Sequence, residues 1–224
     1  MNYGNLSQPE GLWLIDKPYE KSSFWVISQM RRLTNTKKIG HAGTLDPLAT
    51  GLLLVLVGKT YTRQADSFLK QDKVYEVECK LGYTTETDDA EGEEVFVSDI
   101  KPSEAAIKKC ITILTGEIDQ VPPQYSAIKI GGRRAYKLAR AGQNPEMPTR
   151  KAQIYCWEYV SYEYPYIKAT VKVSSGTYVR SLVRDLGLLL GTGAYMSDLR
   201  RTQIGEYDIS NAQTIQGLEK LASI

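Results

Sequence analysis

The residues of this chain that can do chemistry are few and unevenly spaced. Asp46 stands before Pro47 in the stretch IGHAGTLDPLATG, among Gly43, Thr44, Thr50 and Gly51 and directly ahead of the apolar run LLLVLV. A carboxylate in a loop carried by a rigid scaffold can serve as nucleophile or base. The competing reading is an ordinary Asp-Pro turn whose carboxylate bonds nearby amides. His41, five residues earlier, is the single histidine of the chain. Any triad would have to use it as the base, yet it reads equally well as a loop side chain bonded to backbone.

Arg180 and Arg184 lie four apart in a helical pattern, with Asp185 following. Pairing along the helix surface accounts for them. So does an arrangement in which Arg180, at the start of the helix, meets a buried carboxylate elsewhere and holds it ionised and aimed. Tyr178, in SSGTYVR, can pack in the core or line a pocket, and Tyr75 shares a strand face with apolar residues. Cys79, Cys110 and Cys156 are 31 and 46 residues apart with no C-x-x-C pair. That spacing suits small core residues in a reducing compartment better than a zinc site or a disulfide framework.

The elements that must position these residues follow from periodicity. Ser23 reads as an N-cap for a helix with Phe24, Ile27, Met30 and Leu33 on one face and Arg31 and Arg32 off it. A glycine-punctuated loop then leads into the strand LLLVLV. In VYEVECKL, residues 74 to 81, Tyr75, Val77, Cys79 and Leu81 alternate with Glu76, Glu78 and Lys80, the pattern of a half-buried strand. Pro102 opens a helix with Ile107, Cys110, Ile111 and Leu114 aligned, closed by Gly116. QIYCWEYVSYEY and YIKATVKV, separated by Pro165, read as two antiparallel strands. The last clear element is a helix from Val179 with Leu182, Val183, Leu186, Leu189 and Leu190 as its apolar stripe, until Gly191 ends it. Helices and strands mix without a β-α repeat, so the expected class is α+β with a mixed, largely antiparallel central sheet and flanking helices, in one domain spanning 1–224.

With 224 residues, 42% apolar and 24% charged, the composition is that of an ordinary globular protein. The longest uninterrupted apolar run, Leu52 to Val57, is too short to span a bilayer, and MNYGNLSQPEG is no signal peptide. The expectation is a soluble cytoplasmic protein with no membrane partner. Net charge is only +2, but it is unevenly distributed: residues 70–119 hold 6 basic and 13 acidic side chains, and residues 129–151 hold 7 basic and 1 acidic. The basic stretch, KIGGRRAYKLARAGQNPEMPTRK, carries Lys129, Arg133, Arg134, Lys137, Arg140, Arg150 and Lys151 around a short helical pattern that Gly142 would end. It is either a solvated basic helix or an arm that binds nucleic-acid phosphates.

Several blocks together resemble the bacterial tRNA pseudouridine synthase B family, which isomerises the T-loop uridine of tRNA. They are LWLIDKP (12–18), GHAGTLDPLATG (40–51), KVYEVECKLG (73–82), VPPQYSAIKIGGRRAYKLARAG (121–142), SSGTYVRSLVRDLG (174–187) and LRRTQIG (199–205). They stand in the family's order and span nearly the whole chain. The resemblance implies the pseudouridine synthase catalytic fold, with Asp46 as the essential aspartate, Tyr75 as the tyrosine that stacks on the target base and Arg180 as the arginine paired to Asp46. It places His41, Tyr178 and Leu199 along the substrate site and makes Lys17 with Pro18 a supporting motif. The insertion at about 124–151 becomes a thumb that grips the T-arm, with Arg133 and Arg134 as RNA contacts. It further implies tRNA position 55 as the target, no metal, no cofactor and action as a monomer.

Three departures stand out. The chain stops about 20 residues beyond LRRTQIG, where family members commonly carry a C-terminal RNA-binding module, so no PUA-like domain is expected. Tyr19-Glu20 replaces the family's glycine turn after DKP, and Ala42 stands where Thr or Gly is usual. Two other functions are weighed against the isomerase. One is a tRNA-binding or folding factor whose main role is not catalysis; the other is a glycosidase-like hydrolase using two carboxylates.

Overall fold

A computed structural model describes residues 3–223. Strand β1 (Gly11–Lys17) leads to helix α1 (Ser23–Thr34), then strands β2 (Ile39–Ala42) and β3 (Thr50–Val57), the short helices α2 (Lys59–Thr62) and α3 (Ala65–Leu69), and strand β4 (Lys73–Leu81). There follow β5 (Tyr83–Thr84), β6 (Val95–Phe96), α4 (Glu104–Ile113), β7 (Gly116–Gln120), β8 (Lys129–Ile130), β9 (Arg133–Arg134) and α5 (Ala135–Ala139). The chain closes with β10 (Arg150–Glu163), β11 (Tyr166–Val173), α6 (Val179–Leu190), β12 (Ala194–Ile204), β13 (Tyr207–Asp208) and α7 (Ile215–Ala222). Two compact units result, Met1–Glu76 with Leu199–Ile224, and Val77–Asp198. Strands β4 and β12 pass from one into the other. Pairing is antiparallel for β1–β3, β2–β3, β10–β11, β10–β7 and β12–β13 and parallel for β12–β3, so the sheet is mixed and largely antiparallel, as expected.

In the first unit the strand order is β1-β3-β12-β4. Strand β3 reads as an unbroken apolar run because both its faces are covered. Leu53, Val55 and Val57 face a cluster with Trp13, Ile15, Val26, Ile27, Met30, Ile215 and Leu218. Leu52, Leu54 and Leu56 face Leu12, Leu14, Phe68, Ile204 and Tyr207. Helix α1 differs from the sequence reading in two respects. Its N-cap is Ser22, whose hydroxyl accepts from Trp25 N at 3.0 Å, and Phe24 is 66% exposed. The buried face is Val26, Ile27 and Met30, because Ser23 turns inward to bond the backbone at Leu45 and so sets the helix rotation. The Arg31 guanidinium lies over the outward Phe24 ring. The loop is shorter than expected as well, since His41 sits on β2 opposite Val55.

In the second unit the order is β12-β4-β11-β10-β7. The two antiparallel strands around Pro165 form as expected, and helix α4 packs on β10 and α6. Ser103 caps α4, and Gly116 begins β7 rather than closing the helix. On α6 the buried residues are Val179, Arg180, Ser181, Leu182, Val183, Leu186 and Gly187, whereas Leu189 is 47% exposed. The buried face therefore ends one turn short of the apolar pattern in the sequence. After left-handed Gly191 the chain folds back so closely that a β-carbon on Gly187 would lie 2.2 Å from Ala194 N. Cys79 is a core residue, and burial pushes its thiol up to about 12; Cys110 and Cys156 are only half-buried.

The basic stretch is divided. Residues 129–134 form a small hairpin through Gly131 and Gly132, both in the left-handed region that glycine tolerates. Helix α5 is anchored by buried Ala135 and Leu138, with Ala135 N donating to Ile128 O at 2.7 Å. Lys129, Arg133, Arg134, Lys137 and Arg140 stay exposed. Arg150 and Lys151 belong instead to β10, paired with β7, where Lys151 meets Asp119 at 3.1 Å. No helix among the described residues is long and apolar enough to cross a membrane.

Candidate active site

The loop carrying Asp46 leaves β2 at Ala42 and enters β3 at Thr50. Its apolar anchors are Leu45, Leu48 and Ala49, all buried, with Asp46 half-buried between them. Three side chains from elsewhere in the first unit hold its backbone. The Ser23 hydroxyl donates to Leu45 O (3.0 Å) and accepts from Leu45 N (2.9 Å). Fully buried Lys17 donates to the carbonyls of Pro18, Lys21 and Pro47, the last at 3.1 Å. Arg201 donates to Gly43 O (3.0 Å) and Leu52 O (2.7 Å). Within the loop Ala49 N donates to Asp46 O at 3.1 Å. These bonds pin the main chain before, at and after Asp46, which limits where its carboxylate can go.

His41 lies just upstream. Its Nδ1 is buried and without a hydrogen-bond partner, and burial, then the nearby Arg201 charge, lowers its pKa from the usual 6.5. The imidazole is therefore neutral at physiological pH. The reading of His41 as a loop residue bonded to backbone fails on both counts, because β2 takes it into the sheet and Nδ1 meets no carbonyl. Lys73, at the start of β4, is pushed down to about 8 by the same two causes, and its ammonium donates to Leu69 O and Gln71 O. Tyr75 and Leu199 are buried at 7% and 6% exposure, on β4 and β12. On β1, Asp16 forms a two-pronged bond with Arg200 at 2.8 and 3.1 Å. The first unit thus holds Lys17, His41, Asp46, Tyr75 and Leu199. Lys17 and Arg201 both pair in register with Gly51, the residue where the loop meets β3.

Arg180 and Tyr178 belong to the second unit. Arg180 is not on the exposed polar face of its helix; it is buried in the first turn of α6 and donates to Asp89 Oδ2 (3.0 Å), Thr87 O (2.9 Å) and Tyr125 O (3.0 Å). Asp89 is itself 1% exposed, and its other oxygen accepts from the Thr87 hydroxyl (2.6 Å) and Glu91 N (3.0 Å). Within this unit Arg180 thus meets a buried carboxylate, Asp89, while Arg184 pairs along its own helix with Asp185. Arg184 meets Asp88 (2.9 Å), Asp185 (3.0 Å) and Val121 O (2.9 Å), and burial pushes the carboxyls of Asp88 and Asp185 up. Tyr178 caps α6, its main chain clamped by buried Gln120, which accepts from Tyr178 N (2.8 Å) and donates to Tyr178 O (3.1 Å). The exposed Arg133 and Arg134 lie on the hairpin arm.

Asp89, Gln120, Lys73 and Arg201 escaped the sequence reading. Asp89 is one acid among many in ETDDAEGEE, and its only trace is that two adjacent aspartates match two arginines one helical turn apart. Among the described residues no group of three His, Cys, Asp or Glu side chains is placed to hold a metal ion.

Residues 31–179 match the TruB family pseudouridylate synthase N-terminal domain, and residues 180–223 match the tRNA pseudouridylate synthase B C-terminal domain. The chain is 45% identical over 205 residues to tRNA pseudouridine synthase B of Protochlamydia amoebophila, covering 92% of this chain and 78% of that protein. It is 42% identical over 208 residues to the Chlamydia muridarum protein of the same name, covering 93% and 85%. Two similar solved structures are a Cbf5-Nop10-Gar1 complex and an H/ACA RNP bound to a substrate RNA containing 2'-deoxyuridine. The first matches with TM-score 0.71, 27% identity and coverage of 95% and 56%; the second with 0.68, 28%, 92% and 51%. The chain spans about half the length of those two structural relatives. Matched by its family domains from residue 31 to 223 and by relatives across most of their own length, this chain belongs to the TruB family of pseudouridylate synthases.

Proposed function

We propose that this protein converts the T-loop uridine at position 55 of tRNA to pseudouridine, with Asp46 as the group that initiates the reaction. The observation that carries this reading is the loop around Asp46, whose backbone is held by Ser23, Lys17 and Arg201 so that one half-buried carboxylate is presented at a fixed place. The reaction breaks the N1–C1′ bond, turns the uracil and joins C5 to C1′. A proton leaves C5 and N1 gains one, with no net redox change, so the chemistry asks for a nucleophile or base and no redox cofactor.

The uridine must leave the loop stack to be reached. Tyr75 receives it by stacking, worth about 1–3 kcal/mol per base. His41, neutral and with an unused Nδ1, is suited to fill the gap left in the RNA, since it adds no charge that would have to be desolvated. Tyr178 and Leu199 line the base site, and Arg180 offsets the desolvation of Asp46 and keeps it ionised. Arg133 and Arg134, exposed on the arm, meet T-arm phosphates. The protein works as a monomer in the cytoplasm.

Asp46→Asn keeps the volume and removes the charge. Assayed on a T-stem-loop transcript, it is expected to lower pseudouridine formation by about 10,000-fold or more, as loss of a nucleophile does. Formation at near the wild-type rate refutes the role of Asp46. Full cellular rescue by the inactive variant would instead favour a tRNA-folding role.

A further inference from the structure

Arg201 is one of three side chains that hold the Asp46 loop, and it heads the fully buried side chains at 1% exposure. Among the described residues no carboxylate pairs with it; its guanidinium donates only to two carbonyls, Leu52 O at 2.7 Å and Gly43 O at 3.0 Å. A buried cation satisfied by carbonyls alone is costly, and an apolar side chain of similar size would serve a purely packed core better. Its charge is felt nearby, since it lowers the pKa values of both His41 and Lys73. What a guanidinium offers that no apolar side chain can is a rigid planar fork with several donors.

That fork spans the base of the Asp46 loop, for Gly43 and Leu52 are the residues immediately outside Thr44–Gly51. The main chain of Arg201 grips the same place. Gly51 pairs in parallel with Arg201, has φ +99, and would bring a β-carbon 2.3 Å from Arg201 O. Gly43, with φ +89, leaves room for the fork, as a β-carbon there would lie 3.4 Å from Arg201 Nη1. We infer that Arg201 is the positioning residue of the catalytic loop: its guanidinium ties the Gly43 and Leu52 carbonyls together and so fixes where Asp46 meets the uridine, without touching RNA itself. This inference rests on the reading that Asp46 is the reacting group.

Arg201→Lys and Arg201→Met test it. Lysine retains the charge and loses the fork; methionine loses both. For each variant, thermal unfolding, tRNA affinity and the single-turnover rate are measured, and the pKa of the lone histidine is read by NMR as a one-residue probe. The expected result is two folded proteins that bind tRNA within about 3-fold of wild type and turn over about 100-fold more slowly, the scale of a misplacement near 1 Å. The His41 pKa should stay low with lysine and rise with methionine. A folded Arg201→Lys at wild-type rate overturns the inference, as does a loss of rate matched by an equal loss of tRNA affinity. If neither variant folds, Arg201 is structural and the positioning role falls. Failure of the wild-type protein to form pseudouridine would refute the functional reading instead, and the His41 measurement would still report on the buried charge at position 201.

Discussion

Asp89→Asn isolates the buried ion pair at the start of α6. Asparagine has the size of aspartate and can still accept from the Thr87 hydroxyl and Glu91 N through one oxygen, so two of the three bonds to this side chain survive. The third cannot, because the amide nitrogen would face Arg180 Nη1, donor against donor. The pair is deeply buried, with side-chain exposures of 8% for Arg180 and 2% for Asp89, so solvent screening offers no relief. Removing one partner of a buried pair costs about 3–5 kcal/mol. Arg180 keeps the Thr87 and Tyr125 carbonyls as acceptors, which places this case near the lower end, at about 3 kcal/mol. For a chain of this size each kcal/mol corresponds to about 2–4 °C, so the midpoint of thermal unfolding should fall by about 6–12 °C. Urea denaturation provides the free energy and differential scanning calorimetry the midpoint. Asp89→Asn/Arg180→Met should recover part of the loss, because it removes the donor that faces the amide nitrogen. A single-variant cost below about 1 kcal/mol, or a double variant no more stable than the single, would refute the assignment of Asp89 as a buried charge partner of Arg180.

Gly51→Ala should prevent folding or lower stability by more than about 3 kcal/mol, since it combines a left-handed backbone with a β-carbon 2.3 Å from Arg201 O; soluble expression and a cooperative melt like wild type would contradict the close approach. Lys73, pushed down to about 8 in the folded protein, releases its proton earlier there than in the unfolded chain, where its usual value is 10.5. Between pH 8 and 10.5 the unfolded state therefore binds more protons, and this residue makes stability rise with pH. Tyr195 and Tyr207, pushed up to about 12, act in the opposite sense above pH 10. The comparison is thus wild type against Lys73→Met by urea denaturation across pH 7–10.5, and equal pH slopes would dispose of the claim.

Much of the architecture was legible because the elements announce themselves locally. The alternation around Tyr75 is borne out residue by residue, with Tyr75, Val77, Cys79 and Leu81 all buried, and left-handed Gly191 ends α6 where the sequence placed its stop. What failed were features that depend on a neighbour. The buried face of α1 turned on Ser23 reaching Leu45, 22 residues away, and the inner face of α6 turned on the close return of Ala194 to Gly187. Arg150 and Lys151 looked like part of the arm until pairing with Gln120 and Asp119 drew them into the sheet.

The sequence by itself determined the element types, the loop that carries Asp46, the basic arm and the family, because periodicity, glycine punctuation and ordered blocks are properties of short stretches read in order. Only the tertiary structure decided that Arg180 is held by Asp89, 91 residues away, and that the Asp46 loop is closed by Arg201 across separations of 149 and 158 residues. A charged side chain's partner is chosen by whichever group the fold brings within about 3 Å in a water-excluded place. Nothing in the local chain of a single arginine or aspartate encodes that distance.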